Sequence, residues 1–191
     1  MKTLLIGGAR SGKSSLAARW ADERSRDVGC IVTATASDAE MEARITAHRR
    51  ERPPHWRVRE EPLRLGAAIT EECRTGDLLL IDCLTLWTAN CLWPPGKLCV
   101  EPQPDLQADL TGWHTERDAF LESLRNASHT GGFPRLPSEI IIVSNEVGTG
   151  LVPENAAARL FRDEQGRLNQ LVAAACDAVF LVTAGLALCL K

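Results

Sequence analysis

Leu4-Leu5-Ile6-Gly7-Gly8-Ala9-Arg10-Ser11-Gly12-Lys13-Ser14-Ser15 is the stretch from which the fold is read. Three apolar residues predict a buried strand, and Ser14 to Arg24 carries strong helix formers with no breaker. Between them stands Gly-x-x-x-x-Gly-Lys-Ser, the P-loop pattern. Its glycines let the backbone turn its N–H groups inward with no Cβ in the way, making a concave nest for phosphate oxygens. The helix that follows aims its positive end at the same point. Lys13 is placed to reach the β- and γ-phosphates, and the Ser14 hydroxyl to hold Mg²⁺. A glycine-rich turn with a chance lysine is the plain alternative, but it does not require strand, loop and helix in this order. The stretch predicts nucleoside triphosphate binding.

Outward from the loop, short and nearly continuous apolar runs recur at Thr3–Ile6, Cys30–Ala34, Leu78–Ile81, Ile140–Val143 and Ala178–Val182. Such runs suit strands buried on both faces. Helical patterns lie between most of them, so the chain reads as an α/β fold with a mostly parallel central sheet and helices on both faces. Ligands of such sheets bind at the carboxyl ends of the strands. A length of 191 residues predicts one domain, residues 1–191. The formal net charge of −3, with no basic run, argues against nucleic acid as a partner. The longest apolar stretch, Leu171–Leu190, is interrupted by Asp177 and Gly185, so no membrane span is expected. The first residues run directly into the first strand, leaving no room for a signal peptide. Seven cysteines without a Cys-x-x-Cys pair suit reduced thiols in the cytoplasm. Cys83 is read as a packed thiol rather than a reactive one.

Candidate chemistry lies after the later strands. Ser37 and Glu40 form a capping box that predicts a helix from Asp38. On that helix Met41, Ile45 and His48 share one face. Four arginines, Arg44, Arg49, Arg50 and Arg52, follow within nine residues before Pro53-Pro54 stops the helix. On spacing alone His48 reads first as a partly buried helix histidine and only second as a reacting group, while the arginines read equally as a solvated face or phosphate contacts. His55–Glu61 suggests a short edge strand, and Pro62 opens a helix to Cys73. Leu78–Ile81 ends in Asp82, an apolar strand closed by an acid in the Walker B manner, suited to holding hydrated Mg²⁺. Trp93–Pro137 is the least readable segment, with a helix predicted over Leu106–Leu124, and serves as a lid or a subunit contact. His114 and His129 fall within it as surface residues. The strand at Ile140 ends in Ser144-Asn145-Glu146, and Pro153 opens a helix whose apolar stripe is Leu160, Phe161, Leu168, Leu171 and Val172.

Several blocks stand in the order of one known family. They are Gly7 to Ser14, Glu40-Met41-x-Ala43-Arg44-Ile45-x-x-His48, Arg52-Pro53-x-His55-Trp56, Asp82-Cys83-Leu84-Thr85 and Val143-Ser144-Asn145-Glu146-Val147-Gly148. Val152-Pro153-Glu154-Asn155, Phe161-Arg162-Asp163 and Gly166-Arg167-Leu168-Asn169-Gln170 continue the series. Together the chain resembles the bifunctional adenosylcobinamide kinases/adenosylcobinamide-phosphate guanylyltransferases of cobalamin biosynthesis, apart from Trp93–Pro137. The resemblance implies a RecA-like P-loop NTPase fold and a homotrimer. It implies phosphorylation of adenosylcobinamide by GTP or ATP, then transfer of GMP from GTP through a guanylylated histidine, with release of pyrophosphate. His48 matches that nucleophile, preceded here by Ala47 where some relatives carry a second histidine. Nucleotide contacts carry over to Gly7, Gly8, Ala9, Arg10, Ser11, Gly12, Lys13 and Ser14. They extend to Ala34, Thr35 and Ala36, to Arg49, Arg50, Glu51 and Arg52, and to Glu60 and Asp82.

The chemistry agrees with those residue types. An imidazole is largely unprotonated near neutral pH and can attack the α-phosphorus. Lys13, Mg²⁺ and the arginines beside His48 suit the charge on the phosphoryl oxygens. A signalling GTPase would need an Asn-Lys-x-Asp motif, and none occurs. A monofunctional P-loop kinase for a small metabolite is the main alternative, and a binding module without chemistry leaves the His–Arg cluster unused.

Overall fold

The computed structural model describes residues 1–36, 38–72, 77–94, 108–127 and 139–191. The elements run β1 (Lys2–Gly7), α1 (Lys13–Arg24), β2 (Val28–Val32), α2 (Ala39–Glu51), β3 (Arg57–Glu60), α3 (Leu65–Glu72) and β4 (Leu78–Asp82). They continue through α4 (Leu84–Leu92), α5 (Leu110–Asn126), β5 (Glu139–Asn145), α6 (Ala156–Ala175), β6 (Ala178–Thr183) and β7 (Leu186–Cys189). The seven strands form one sheet in the order β3-β2-β4-β5-β1-β6-β7. All neighbours pair in parallel except β6 and β7, which are antiparallel.

The alternation of side chains along each central strand divides the core in two. Leu4, Ile31, Leu79, Ile81, Ile140 and Ile142 join the apolar faces of α3, α4, α5 and α6. Leu5, Cys30, Leu78, Leu80, Ile141 and Val143 join Leu16, Ala17 and Ala21 of α1 together with Trp56. Nearly continuous apolar sequence is therefore required, because each face of β4 and β5 meets a core. Trp87 of α4 packs edge-on to Trp113 at 5.2 Å and lies 5.1 Å from Phe120, both on α5, and its indole N–H donates to Leu63 O at 2.7 Å. Aromatic residues are few, but these three close the larger core.

Several boundaries differ from expectation for identifiable reasons. Asp38, not Ser37, caps α2: its carboxylate accepts from Met41 N–H at 2.8 Å. Ser37 itself, like Cys73, Cys99 and His129, lies outside the described residues. The helix expected from Pro62 begins at Leu65, where Glu61 accepts from Arg64 N–H at 2.9 Å. The helix expected over Leu106–Leu124 is α5, Leu110–Asn126, capped by Asp109. Pro153 does not open α6; Asn155 caps it by accepting from Ala158 N–H at 3.0 Å. Leu171 is exposed, and the buried stripe of α6 instead includes Glu164, Gln165 and Asn169. Strand β7 had no expectation. It returns on β6 through Ala184 and Gly185, both at positive φ (50° and 78°), the two-residue turn that matches strand twist.

Candidate functional site

Gly7 ends β1 between its two sheet neighbours. Its carbonyl accepts from Glu146 N–H at 3.0 Å, and a Cβ on Gly7 would run into the Val182 carbonyl and Ser11 Oγ. The loop then needs left-handed backbone at Arg10 (φ 58°) and Gly12 (φ 90°). Gly12 is the N-cap of α1 and provides no side-chain cap, so the first-turn N–H groups face the loop's hollow. Gly185 N–H donates to Ser11 O at 2.9 Å, which braces the loop with the β6–β7 turn. Lys13 is buried, and its ammonium donates to Gly8 O at 3.1 Å. Burial lowers the Lys13 pKa from its ordinary value, with Cys83 and Asp82 partly offsetting that effect.

Asp82 ends β4 two strands away and meets α1 across β5. One carboxylate oxygen accepts from Ser14 Oγ at 3.2 Å; the other lies 3.5 Å from the Arg52 guanidinium. Two hard oxygens, a hydroxyl and a carboxylate, are thereby held together at the mouth of the phosphate nest. This donor set fits a magnesium ion completed by phosphates and water. Among the described residues no group of three or more His, Cys, Asp or Glu forms a metal site of its own. Thr33 fixes the end of β4: its hydroxyl donates to Cys83 O at 2.6 Å and accepts from Cys83 N–H at 3.1 Å. Asn90 of α4 in turn donates to Thr33 O at 2.8 Å. Cys83 is a packed thiol, its pKa pushed up to about 11 chiefly by burial.

Helix α2 crosses the crevice from the other side. Met41, Ile45 and His48 share its inward face and, with Arg49 and Arg52, form one wall of a cleft of about 430 Å³. Ala9 and Arg10 of the loop, Ala34, Glu60 and Asp82 complete it, joined by Val32, Val58 and Leu86. A second hollow of about 360 Å³ opens on the far side of the same histidine, lined by Ser14, Glu51, Arg52 and Asp82. His48 is thus the partition between two openings that both reach the P-loop region. Its ring is about half exposed (49%), and Nδ1 lies 3.6 Å from Glu51. Arg49 pairs with Glu60 across the cleft.

The expected residues therefore converge in large part. Thr35 instead turns its hydroxyl to Asn90 at 3.3 Å, while Ala36 and Arg50 are exposed outside both linings. Sequence reasoning missed Thr33, Asn90 and Leu86. The lone amide in Leu84–Leu92, whose other polar side chains are only Thr85 and Thr88, was the available signal for Asn90. It also missed the buried network beneath the β5 end. Ser144 Oγ donates to Asn169 at 2.6 Å and accepts from Gln165 at 2.8 Å, while Asn169 donates to Asn145 O at 2.9 Å. Asn145 N–H donates to Thr85 Oγ1 at 2.7 Å, so the strand end entering the cleft is held by side chains from both α4 and α6. His114 is exposed, as expected, and its Nε2 lies 3.7 Å from buried Glu164.

Comparison with known proteins agrees with this geometry. Solved structures of type III secretion ATPases share the fold. One, described as a prototypical ATPase from the type III secretion system of pathogenic bacteria, aligns with a TM-score of 0.57 at 13% identity, over 95% of this chain and 51% of that one. The enteropathogenic E. coli ATPase EscN aligns with a TM-score of 0.54 at 14% identity, over 96% of this chain and 43% of that one. Much nearer in sequence is the bifunctional adenosylcobalamin biosynthesis protein CobP of Pseudomonas aeruginosa, 46% identical over all of this chain and 98% of that protein. The CobU proteins of Salmonella typhimurium and Escherichia coli are 39% and 38% identical, each over the full length of both chains. The family described as cobinamide kinase / cobinamide phosphate guanyltransferase matches residues 3–190. With a P-loop, an acid-ended strand and a His–Arg helix meeting in one crevice, and with these relatives along its whole length, the chain belongs to the cobinamide kinase / cobinamide phosphate guanyltransferase family.

Proposed function

We propose that this chain, acting as one domain, phosphorylates adenosylcobinamide with GTP or ATP and then transfers GMP to the product through His48. The observation that carries the reading is the position of His48, which borders both the cleft at Ala9 and Arg10 and the hollow at Ser14 and Asp82. The apolar patches of the cleft suit a base and ribose, with Glu60 offering a carboxylate acceptor and the P-loop nest receiving the phosphates. In the kinase step the acceptor hydroxyl attacks the γ-phosphorus, the bond to the β-phosphate oxygen breaks, and Lys13 and Arg52 meet the charge. In the transferase step the histidine nitrogen attacks the α-phosphorus and pyrophosphate leaves. A phosphate oxygen of the acceptor then attacks the same phosphorus, and the P–N bond breaks to restore the imidazole. Glu51 beside Nδ1 favours a proton there, leaving the Nε2 lone pair as the nucleophile. Mg²⁺, held by Ser14 and Asp82, supplies charge neutralisation across the phosphates when bound.

The same reading makes the protein a cytoplasmic homotrimer with no nucleic-acid partner. Exposed Leu186 and Leu188 on edge strand β7 supply apolar surface for a contact between copies, and the formal net charge of −3 suits the absence of nucleic acid. Among the described residues no helix is long and apolar enough to cross a membrane. Incubation with GTP labelled at the α-phosphate tests the mechanism. The unaltered chain is expected to retain an acid-labile label that His48→Ala lacks, while His48→Ala still phosphorylates adenosylcobinamide. Label of equal yield on His48→Ala refutes the assignment.

A further inference from the structure

We propose that the hollow of about 360 Å³ between α1 and α2 receives the aminopropanol arm of the acceptor in both reactions, with Arg19 and Arg52 holding its phosphate once formed. This rests on the function proposed above and adds the place where the reacting end of the acceptor sits. The two steps make one spatial demand. The hydroxyl of the arm must reach the γ-phosphorus, and the phosphate it gains must then reach the phosphorus carried by His48. Ser14 and Asp82, the pair suited to Mg²⁺, mark the position of the γ-phosphate. Of the two openings, the larger cleft is lined by His48 and Asp82 but not by Ser14, and the nucleotide is assigned to it. The hollow is lined by Ser14, Asp82 and His48 together. An acceptor that enters there stands beside both reacting centres without displacing the base.

The lining suits an arm that gains a phosphate. Ala18, Pro53 and Leu80 offer apolar contact to the carbon atoms of a short chain. The volume stands at the low end for small-molecule sites, about 300–1,000 Å³, so the arm enters while the macrocycle stays at the mouth. Three carboxylates line the hollow, yet each already faces a partner. Asp22 lies 3.6 Å from His55 Nε2, Glu51 lies 3.6 Å from His48 Nδ1, and Asp82 lies 3.5 Å from Arg52. Among the described residues Arg19 pairs only with Glu23, at 4.0 Å with both side chains 64% exposed. Such a pair contributes little and gives way to a better anion. A phosphate is that anion, because it can accept two parallel N–H bonds from one guanidinium. Arg19 stands on α1 and Arg52 closes the end of α2, so cations reach the hollow from both of its walls.

Two variants of α1 test this. Arg19→Glu reverses a charge at an exposed site that does not threaten folding. In guanylyl transfer its KM for adenosylcobinamide phosphate is expected to rise at least about fivefold. Ala18→Met fills the hollow with no change of charge, and its KM is expected to rise at least about fivefold for adenosylcobinamide and for its phosphate alike. The yield of guanylyl label from GTP alone is expected to stay within about twofold of the parent in both variants, since that half-reaction needs no acceptor. An unchanged acceptor KM in either variant overturns the inference. So does an equal rise in the KM for GTP, which would put the nucleotide in the hollow. Failure of the unaltered chain to phosphorylate adenosylcobinamide or to take up guanylyl label would instead overturn the functional reading on which the inference stands.

Discussion

Gly7 and Gly8 are adjacent in the same phosphate loop, yet the structure predicts opposite consequences for the same substitution. A methyl group at Gly7 meets the Val182 carbonyl, which belongs to the backbone of β6, and Ser11 Oγ, which is buried. Neither can withdraw without opening the β1–β6 pairing or the loop itself, so Gly7→Ala overpacks at a cost of about 1–3 kcal/mol. Replacing glycine also stiffens the unfolded chain, which returns roughly 0.4–1 kcal/mol and leaves a net loss of about 1–2 kcal/mol. For a chain of this length that lowers Tm by about 2–8 °C. At Gly8 an added Cβ meets nothing within 4 Å, and φ is not in the left-handed region. Gly8→Ala is therefore expected to leave stability unchanged or to raise it by up to about 1 kcal/mol. The open space is where the nest receives phosphate, so Gly8→Ala should instead raise the KM for nucleotide. Urea unfolding with a shared m-value, beside nucleotide kinetics, measures both. Equal stability of the two variants, or an unstable Gly8→Ala, would refute this account of the loop.

Three further expectations concern the supports of the site. Glu164 is 3% exposed, and although burial works to raise its pKa, the Trp113 N–H, Arg167 and His114 outweigh that and lower it. A depressed carboxylate contributes stability above its unfolded pKa, about 4.3, and loses it as pH falls through the folded value. Urea midpoints of the parent should therefore drop more steeply than those of Glu164→Gln on acidification from about pH 5 to pH 3. Ser144→Ala strips buried partners from both Asn169 and Gln165, and equilibrium unfolding should show a loss of about 1–3 kcal/mol. His48→Ala and Arg49→Ala remove exposed side chains of α2, so calorimetry should find stability within about 0.5 kcal/mol of the parent while transferase activity falls.

The strands were legible because residues buried on both faces leave almost no polar interruption, as in Leu78–Ile81 and Ile140–Val143. The phosphate loop was legible because its geometry demands particular residues at fixed spacing. What escaped notice was polar and internal. Nothing in the sequence marks Glu164, Gln165 and Asn169 as internal, since no local pattern says that Trp113 or Ser144, distant in sequence, will satisfy them. Strand β7 escaped because its turn uses Ala184-Gly185 where Asn-Gly would have announced a hairpin. At the site, the spacing of Met41, Ile45 and His48 gave the inward face of α2. Its relation to Arg10 and Asp82 needed the sheet order, which no periodicity contains.

The exposed character of α2 and the existence of the cleft are one physical fact. Of the described side chains on this helix none is buried, and its links to the sheet are polar, through Arg49 with Glu60 and Arg52 beyond its end with Asp82. An apolar stripe of the kind α1 presents, with Leu16, Ala17 and Ala21, would pull the helix onto β2 and β4 and close the space between them. Charged groups keep the gap open because each retains water or an opposite charge, and the space they preserve is about 430 Å³. The P-loop faces the opposite demand. Phosphate must meet fixed N–H groups, so its backbone is wedged between β5 and β6 where Gly7 admits no side chain. A rigid floor beneath a polar helix standing off from the sheet follows from the two jobs, and it explains why arginines that read as a solvated face can also be the lining of the site.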